Sequence, residues 1–271
     1  MPIFAVATLA PAVLLAAGTA WGGGWILAAL GLITLFVGLT DELARRAEAG
    51  PEGSEFPTGA ALSVVLGALH FALLAAVIWR IAGDDDFATA EKAGLFIASG
   101  LFFGQISNPN AHELIHCRPR WLRSLGTWIY ISLLYGHHAS AHTLVHHVRV
   151  ATPGDPATAR RGEGFYRYLT RAWIGGFREG LRAETRRSLA SGRPAWRNPY
   201  LIYVGGALCL LFLTYLGAGA KGLLFHVWLA AFAQVQLLMS DYVQHYGLTR
   251  RTLPDGRPVP VGPEHSWNSP H

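Results

Sequence analysis

Twelve histidines are the residues of this 271-residue chain best suited to chemistry, and they are unevenly spread along it. Six of them form three sets: His112 and His116 in HELIH, His142, His146 and His147 in HTLVHH, and His245 in VQHYGL. Residues four apart on a helix share one face, so HELIH and HTLVHH each predict a pair of metal ligands. His147 follows one position later and is expected to point about 100° away, towards a second ion.

The number of imidazoles predicts more than one metal ion. A structural zinc is nearly always four-coordinate, so six histidines exceed what a single zinc can use. Imidazole binds zinc, copper, iron and nickel, so the ligand type alone does not select the metal. Two ions, with some positions left open, fit the count best.

Four other histidines are not predicted to bind metal. His70 and His226 stand alone in apolar segments, where a histidine is usually packed or hydrogen-bonded. His137 and His138 adjoin the second set but miss its four-residue spacing, so they are expected to support the ligands rather than bind metal.

Three polar residues beside these histidines have two interpretations. His112-Glu113-Leu114-Ile115-His116 matches the zinc-peptidase pattern H-E-x-x-H, with Glu113 as the general base of an intramembrane metallopeptidase. That alternative leaves the other histidine sets without a role. We instead predict Glu113 and Asp241 as carboxylates of the catalytic site that, with Gln244, orient imidazole N–H groups. Solvation at the membrane surface explains the same three residues equally well.

The elements that must position these residues are predicted to be membrane helices. The chain is 51% hydrophobic and 14% charged, against about a quarter charged in soluble domains. A spanning helix needs about 20 mostly apolar residues, and Leu125–Tyr135 is too short. Six stretches are long enough, some marginally: Ile3–Ala20, Trp25–Leu39, Gly59–Ile81, Ala93–Ile106, Leu201–Gly217 and Leu223–Met239.

Charge placement predicts the orientation of these spans. The stretch 108–199 carries fourteen arginines, no lysine and five acidic residues, whereas Asp84, Asp85 and Asp86 form an acidic loop. The positive-inside rule puts the Arg-rich insertion 108–199 in the cytoplasm, together with all three histidine sets. The prediction is an all-α polytopic membrane protein of about six spans with a cytoplasmic His-rich di-metal site. The net charge of +5 then reflects topology and contact with membrane lipid, not nucleic-acid binding.

The order of these motifs resembles one family. HELIH, HTLVHH, SDYVQHYGL and PVGPEHSWNSPH together are similar to the membrane alkane 1-monooxygenases, within the histidine-rich membrane desaturases and hydroxylases. The resemblance runs through essentially the whole chain. It implies a six-helix membrane fold, two irons bound by His112, His116, His142, His146, His147 and His245, and O2-dependent terminal hydroxylation of medium-chain alkanes in the bacterial inner membrane.

The sequence departs from the family pattern E-H-x-x-G-H-H at two places, where Ala141 and Val145 replace Glu and Gly. Cys117 stands where a basic residue is common. A final box of the form R-H-S-D-H-H would lie beyond His271, so we expect 1–271 to be a single hydroxylase domain truncated at its C-terminus.

The source of electrons is expected to be another protein. Cys117 and Cys209 form neither a CxxC redox motif nor a disulfide framework, and the resemblance implies rubredoxin and rubredoxin reductase as donors. Two further alternatives stay open: a related hydroxylase or desaturase acting on acyl or terpenoid chains, and an inactive or purely metal-binding membrane protein.

Overall fold

The structure, a computed structural model, describes residues 2–36, 60–83 and 87–267. Within these ranges the chain is helical, and its only β-contact is an isolated bridge between Thr252 and Pro258. The predicted all-α class is therefore confirmed. The acidic triplet Asp84–Asp86, the end of the second predicted span and His271 lie outside the described residues.

The described helices, in chain order, are α1 Pro2–Trp21, α2 Gly24–Gly31, α3 Ala60–Ala82, α4 Thr89–Phe102, α5 Asn108–His116, α6 Arg120–Ser132, α7 His138–Ala141, α8 His147–Arg149, α9 Phe165–Ala190 and α10 Pro199–His245. Three π-helical turns interrupt or extend them, at Leu32–Phe36, Phe103–Ser107 and His142–His146. The second joins α4 to α5 and the third joins α7 to α8, so a π turn precedes or contains each of the first two histidine motifs.

The chain forms two compact units. Unit 1 comprises Met1–Leu134 and Gly206–Ala233, and unit 2 comprises Tyr135–Gly205 and Gln234–His271. Unit 1 packs α1 to α4 around an apolar core that includes Leu66, Val77 and Phe103. Unit 2 has a smaller core in which Tyr168, on α9, packs with Tyr135 and Leu238.

A buried polar network crosses the core of unit 1. The Ser132 hydroxyl donates to the Ile129 carbonyl at 2.7 Å, so it can only accept at 2.7 Å from His70 Nε2. His226 Nε2 donates to the Ser132 carbonyl at 2.7 Å, and its Nδ1 accepts from the Thr214 hydroxyl at 2.9 Å. Both rings thus carry their proton on Nε2, and the interpretation of His70 and His226 as hydrogen-bonded core residues is confirmed.

Helix α10 reverses direction at Gly219. This residue has φ 65° and ψ −166° inside an otherwise helical run of 47 residues. A straight helix would separate Thr214 from His226 by about 18 Å at 1.5 Å per residue, yet their side chains are hydrogen-bonded. The two predicted spans Leu201–Gly217 and Leu223–Met239 are therefore two arms of a helical hairpin.

Among the described residues, two helices are long and apolar enough to cross a bilayer, namely α3 and α10. The segments Ala5–Trp21 and Gly24–Leu35 are apolar but shorter. The count of six spans stays a prediction. The short segment Leu125–Tyr135 lies largely within α6, and α9 is the main element of the stretch Pro153–Arg197.

Candidate metal centre

The first histidine pair lies on α5 in unit 1. The rings of His112 and His116 are 4.9 Å apart between centroids and nearly perpendicular. This confirms the face shared by residues four apart. Both residues are candidate metal ligands.

Helix α5 is fixed in unit 1 by side chains at its N-terminal turn. Asn108 Nδ2 donates to the Ala233 carbonyl at 2.9 Å, and Asn110 Nδ2 donates to the Ser63 carbonyl at 3.0 Å. Both asparagines are buried. On the neighbouring helix, Gly126 lies so close to α5 that a Cβ there would stand 2.8 Å from the Ala111 carbonyl oxygen. These contacts fix the position of the helix that carries His112 and His116.

The second histidine set, in unit 2, sits on a π turn rather than on an α-helix. The His147 amide donates to the His142 carbonyl, five residues back, which is the hydrogen bond that defines a π turn. Residues five apart then stack, whereas on an α-helix they would be about 140° apart. The Nε2 atoms of His142 and His147 are 2.8 Å apart, and both residues are candidate metal ligands. The sequence analysis assumed α-helical spacing, which separates His147 from His142, so it did not predict this pair.

His146 is held by a buried carboxylate that the sequence analysis missed. His146 Nδ1 donates to Asp155 Oδ2 at 2.8 Å, which leaves Nε2 as the ring's acceptor. Burial lowers the pKa of His146, but the hydrogen bond and the negative charge of Asp155 outweigh burial and raise it. Burial raises the pKa of Asp155, and the same hydrogen bond to His146 reverses this and lowers it. Asp155 therefore stays ionised.

Asp155 accepts two further hydrogen bonds from its own loop. The Thr158 hydroxyl donates to Oδ2 at 2.6 Å, and the Ala157 amide donates to Oδ1 at 3.1 Å. A carboxylate that accepts from the amide two residues later forms an Asx turn. The sequence Asp155-Pro156-Ala157-Thr158 is the signal that would have predicted this turn, although not its contact with His146.

His245, at the end of α10, reaches the same cluster. Its ring lies 4.8 Å from that of His146, and its Nδ1 donates to the His265 carbonyl at 3.0 Å. The side chain of His265 accepts from the Gly262 amide at 2.9 Å. His265 thus orients His245 through its backbone.

A small cavity in unit 2 is lined by His138, His142, His146 and Asp241 together with apolar side chains. Its volume of about 20 Å³ has room for about one water molecule. The structure thus places Asp241 and His138 beside two of the candidate ligands. His138 stacks on Tyr135 at 5.1 Å, and its supporting role stays a prediction.

Three remaining residues do not line this cavity. His137 is enclosed by Tyr135, Trp173 and Phe177, and burial lowers its pKa to about 4. Gln244 donates to the Ser240 hydroxyl at 3.1 Å. Glu113 lies on α5 in unit 1, half-buried, and its carbonyl accepts from the Cys117 thiol.

The donor set fits a divalent transition metal ion. Neutral imidazoles are the best-suited ligands for such ions, and Asp155 and the His265 carbonyl fix the protons of His146 and His245 on Nδ1. Second hydrogen bonds of this kind are a regular feature of metal-binding histidines. The unit 2 histidines therefore form a cluster that could bind metal, as His112 and His116 could in unit 1.

Comparisons with known proteins agree with this chemistry. The model of the fatty acid desaturase family matches residues 92–271. Alkane 1-monooxygenase 2 of Pseudomonas aeruginosa is 31% identical over 262 residues, which is 93% of this chain and 69% of that protein. Alkane 1-monooxygenases of Pseudomonas putida and Ectopseudomonas oleovorans are each 34% identical over 75% of this chain. The chain spans only about half the length of these last two relatives, 50% and 51%.

Proposed function

The chain belongs to the fatty acid desaturase family, and from this premise we propose that it hydroxylates the terminal methyl group of medium-chain alkanes. The family resemblance inferred from the histidine motifs is confirmed, and so is the enzyme class, an oxidoreductase of the monooxygenase type. The alkane substrate, its chain length and the electron donors are part of the proposal.

The observation that carries the proposal is the convergence of imidazole nitrogens in unit 2. His142 and His147 bring their Nε2 atoms to 2.8 Å, and Asp155 leaves His146 with an acceptor Nε2. Binding a cation between His142 and His147 requires both rings to carry their proton on Nδ1. We propose that these three residues, with His112, His116 and His245, bind two iron ions.

Iron at this centre would supply the activation of O2 that insertion into an unactivated C–H bond requires. The overall reaction takes the alkane, O2, two electrons and two protons to the primary alcohol and water. We propose that rubredoxin, reduced by its reductase, delivers the electrons. Two groups of this chain orient the candidate ligands, since Asp155 fixes the tautomer of His146 and the His265 carbonyl fixes that of His245. Asp241 lines the cavity beside His142 and His146.

The location follows from the same family and from the apolar helices. The chain is a membrane protein, and α3 and α10 have the length and composition of spanning helices. We propose the bacterial inner membrane, with the centre on the cytoplasmic side because the Arg-rich stretch 108–199 flanks the histidines. An alkane dissolved in the bilayer would then approach without any charged group to recognise it.

A second candidate is hydroxylation or desaturation of an acyl chain, which the family description itself favours. The zinc-peptidase alternative is disfavoured, because the family match includes HELIH and the two later histidine motifs in one model.

The deciding experiment is product analysis with labelled oxygen. Membranes containing the chain, supplied with rubredoxin, its reductase and NADH, receive octane and a fatty acid of similar length under ¹⁸O2. Labelled 1-octanol supports the proposal, whereas labelled or unsaturated acid establishes the second candidate. A His142→Ala variant is the matched control and should form neither product.

A further inference from the structure

An open groove runs along α9 in unit 2, and none of the candidate metal ligands lines it. It is lined by Arg167, Thr170, Arg171, Ile174, Gly175 and Arg178 and has a volume of about 540 Å³. Its three guanidinium groups follow one another along one side of the helix, since residues four and seven apart lie on the same face.

One arginine of the groove is fixed in place. Arg171 pairs with Glu163 at 2.6 Å and donates to the Pro156 and Thr158 carbonyls at 2.8 and 2.9 Å. Glu163 neutralises its charge. Arg167 and Arg178 are exposed, and within the described residues neither makes an ion pair. The net positive charge of the groove therefore comes from Arg167 and Arg178.

Both arms of the α10 hairpin hold α9 in position through side-chain hydrogen bonds. Trp173 Nε1 donates to Gln234 Oε1 at 2.7 Å, and the Tyr200 hydroxyl donates to the Phe177 carbonyl at 3.0 Å. Tyr200 begins one arm of the hairpin, and Gln234 lies in the last turns of the apolar part of the other. The middle of α9 is thus level with the place where apolar sequence gives way to polar sequence.

Exposed apolar side chains accompany the arginines at this level. Trp173 and Ile174 are 38% and 39% exposed, and Trp196 is 67% exposed. Indoles concentrate at the boundary between membrane and water, and arginines on such a helix attract anionic lipid. A water-facing helix has no such reason to expose tryptophan.

We propose that this groove binds the headgroup of an anionic phospholipid, with Arg167 and Arg178 on the phosphate and Ile174 against the start of the acyl chains. The occupant is a membrane lipid because apolar and cationic side chains meet at the depth of the headgroups. The inference rests on the membrane location of the chain and not on the reaction that it catalyses.

The test is native mass spectrometry of the full chain, purified in detergent micelles doped with phosphatidylglycerol and phosphatidylcholine. The groove variant is Arg167→Gln/Arg178→Gln. The control is Arg186→Gln/Arg193→Gln, which removes the same charge from exposed arginines that do not line the groove. We expect the groove variant to bind phosphatidylglycerol roughly 30-fold more weakly, and the control to bind it as the unaltered chain does.

Three results would overturn the proposal. Equal losses in both variants would show only a general effect of charge, and unchanged retention in the groove variant would show that the groove holds no lipid. Displacement of the lipid by excess inorganic phosphate alone would show a site for free phosphate. Iron content, measured on the same samples, should be equal in all three proteins, so failure of the lipid site is distinguishable from loss of the metal centre.

Discussion

His142 and His147 face each other across one π-helical turn, with their Nε2 atoms 2.8 Å apart. Their approach depends on the hydrogen bond from the His147 amide to the His142 carbonyl. A π turn is rare and is frequently found at functional sites. Here its effect is to pair two imidazoles that α-helical spacing would separate.

Replacing either member of this pair should remove metal. His142→Ala and His147→Ala are each expected to lower the iron content of the purified chain by at least about one equivalent, because each takes away a nitrogen donor. Elemental analysis measures this. The comparison protein is Arg186→Gln, an exposed change on α9, which should keep its iron. Full occupancy in both histidine variants would exclude the pair from the metal site.

Asp155→Asn should weaken metal binding without removing a ligand. The amide can offer an N–H to His146 Nδ1 and so favour the wrong tautomer, and changes of this kind typically cost 10- to 100-fold in metal affinity. Titration with Co²⁺, followed by its visible absorption, reports affinity independently of turnover. Asp255→Asn, at an exposed position, serves as the control. Equal affinities for Asp155→Asn and the unaltered chain would mean that Asp155 does not set the tautomer.

Acid should remove the stabilisation that Glu163 provides through Arg171. The hydrogen bond and charge of Arg171 lower the pKa of Glu163 from 4.5 to about 2. A depressed carboxyl pKa stabilises the fold above the unfolded value, and this contribution is lost as pH falls from about 4.5 towards 2. The thermal midpoint of Glu163→Gln should therefore lie below that of the unaltered chain at pH 6. The gap between the two should shrink steadily as pH falls from about 4.5 to about 2, and a constant gap would contradict the assignment.

Gly219→Ala should destabilise the hairpin of α10. The backbone angles at Gly219, φ 65° and ψ −166°, fall in a region open essentially only to glycine, so a cost of about 1–3 kcal/mol is expected. Gly205→Ala is the matched change, because Gly205 is helical and a Cβ there has no atom within 4 Å. Denaturant midpoints in detergent should fall for the first variant and not for the second.

Turnover supported by rubredoxin should fall steeply as salt rises. The stretch 108–199 has fourteen arginines against five acidic residues, and docking of an acidic carrier on such a surface is screened by ions. The initial rate at several ionic strengths measures this. The control replaces rubredoxin with a chemical reductant, so that any effect of salt on steps other than docking is measured separately. A rubredoxin-supported rate that does not change with salt would contradict docking on this surface.

The sequence predicted the helical class, the histidine sets and the buried roles of His70 and His226, because these follow from residue type, spacing and hydropathy. It could not predict the π turn at His142–His146, since that choice depends on one backbone hydrogen bond and leaves the residue pattern unchanged. The contact between Asp155 and His146 was also missed. The sequence around Asp155 predicts the Asx turn. The contact between this turn and His146 depends on tertiary packing, which the sequence pattern does not give.

The structure brings the second histidine set close to His245, but the sequence did not predict the pairing of His142 with His147. His245 was expected at the end of the last span, and it is found there, beside His146. Hydropathy separated Leu201–Gly217 from Leu223–Met239, and the reversal at Gly219 explains why two apolar stretches occur with so short a link.

The hairpin of α10 also bears on how this chain is built into a membrane during synthesis. A translocating segment that presents a lone histidine to lipid costs free energy, and His226 lies near the start of the second arm. Because the Thr214 hydroxyl on the first arm donates to His226 Nδ1, one of the two ring nitrogens has its partner within the hairpin itself. Pairing of the two arms at this position therefore lowers the cost of placing His226 in the bilayer, and Ser132 supplies the partner for the other ring nitrogen.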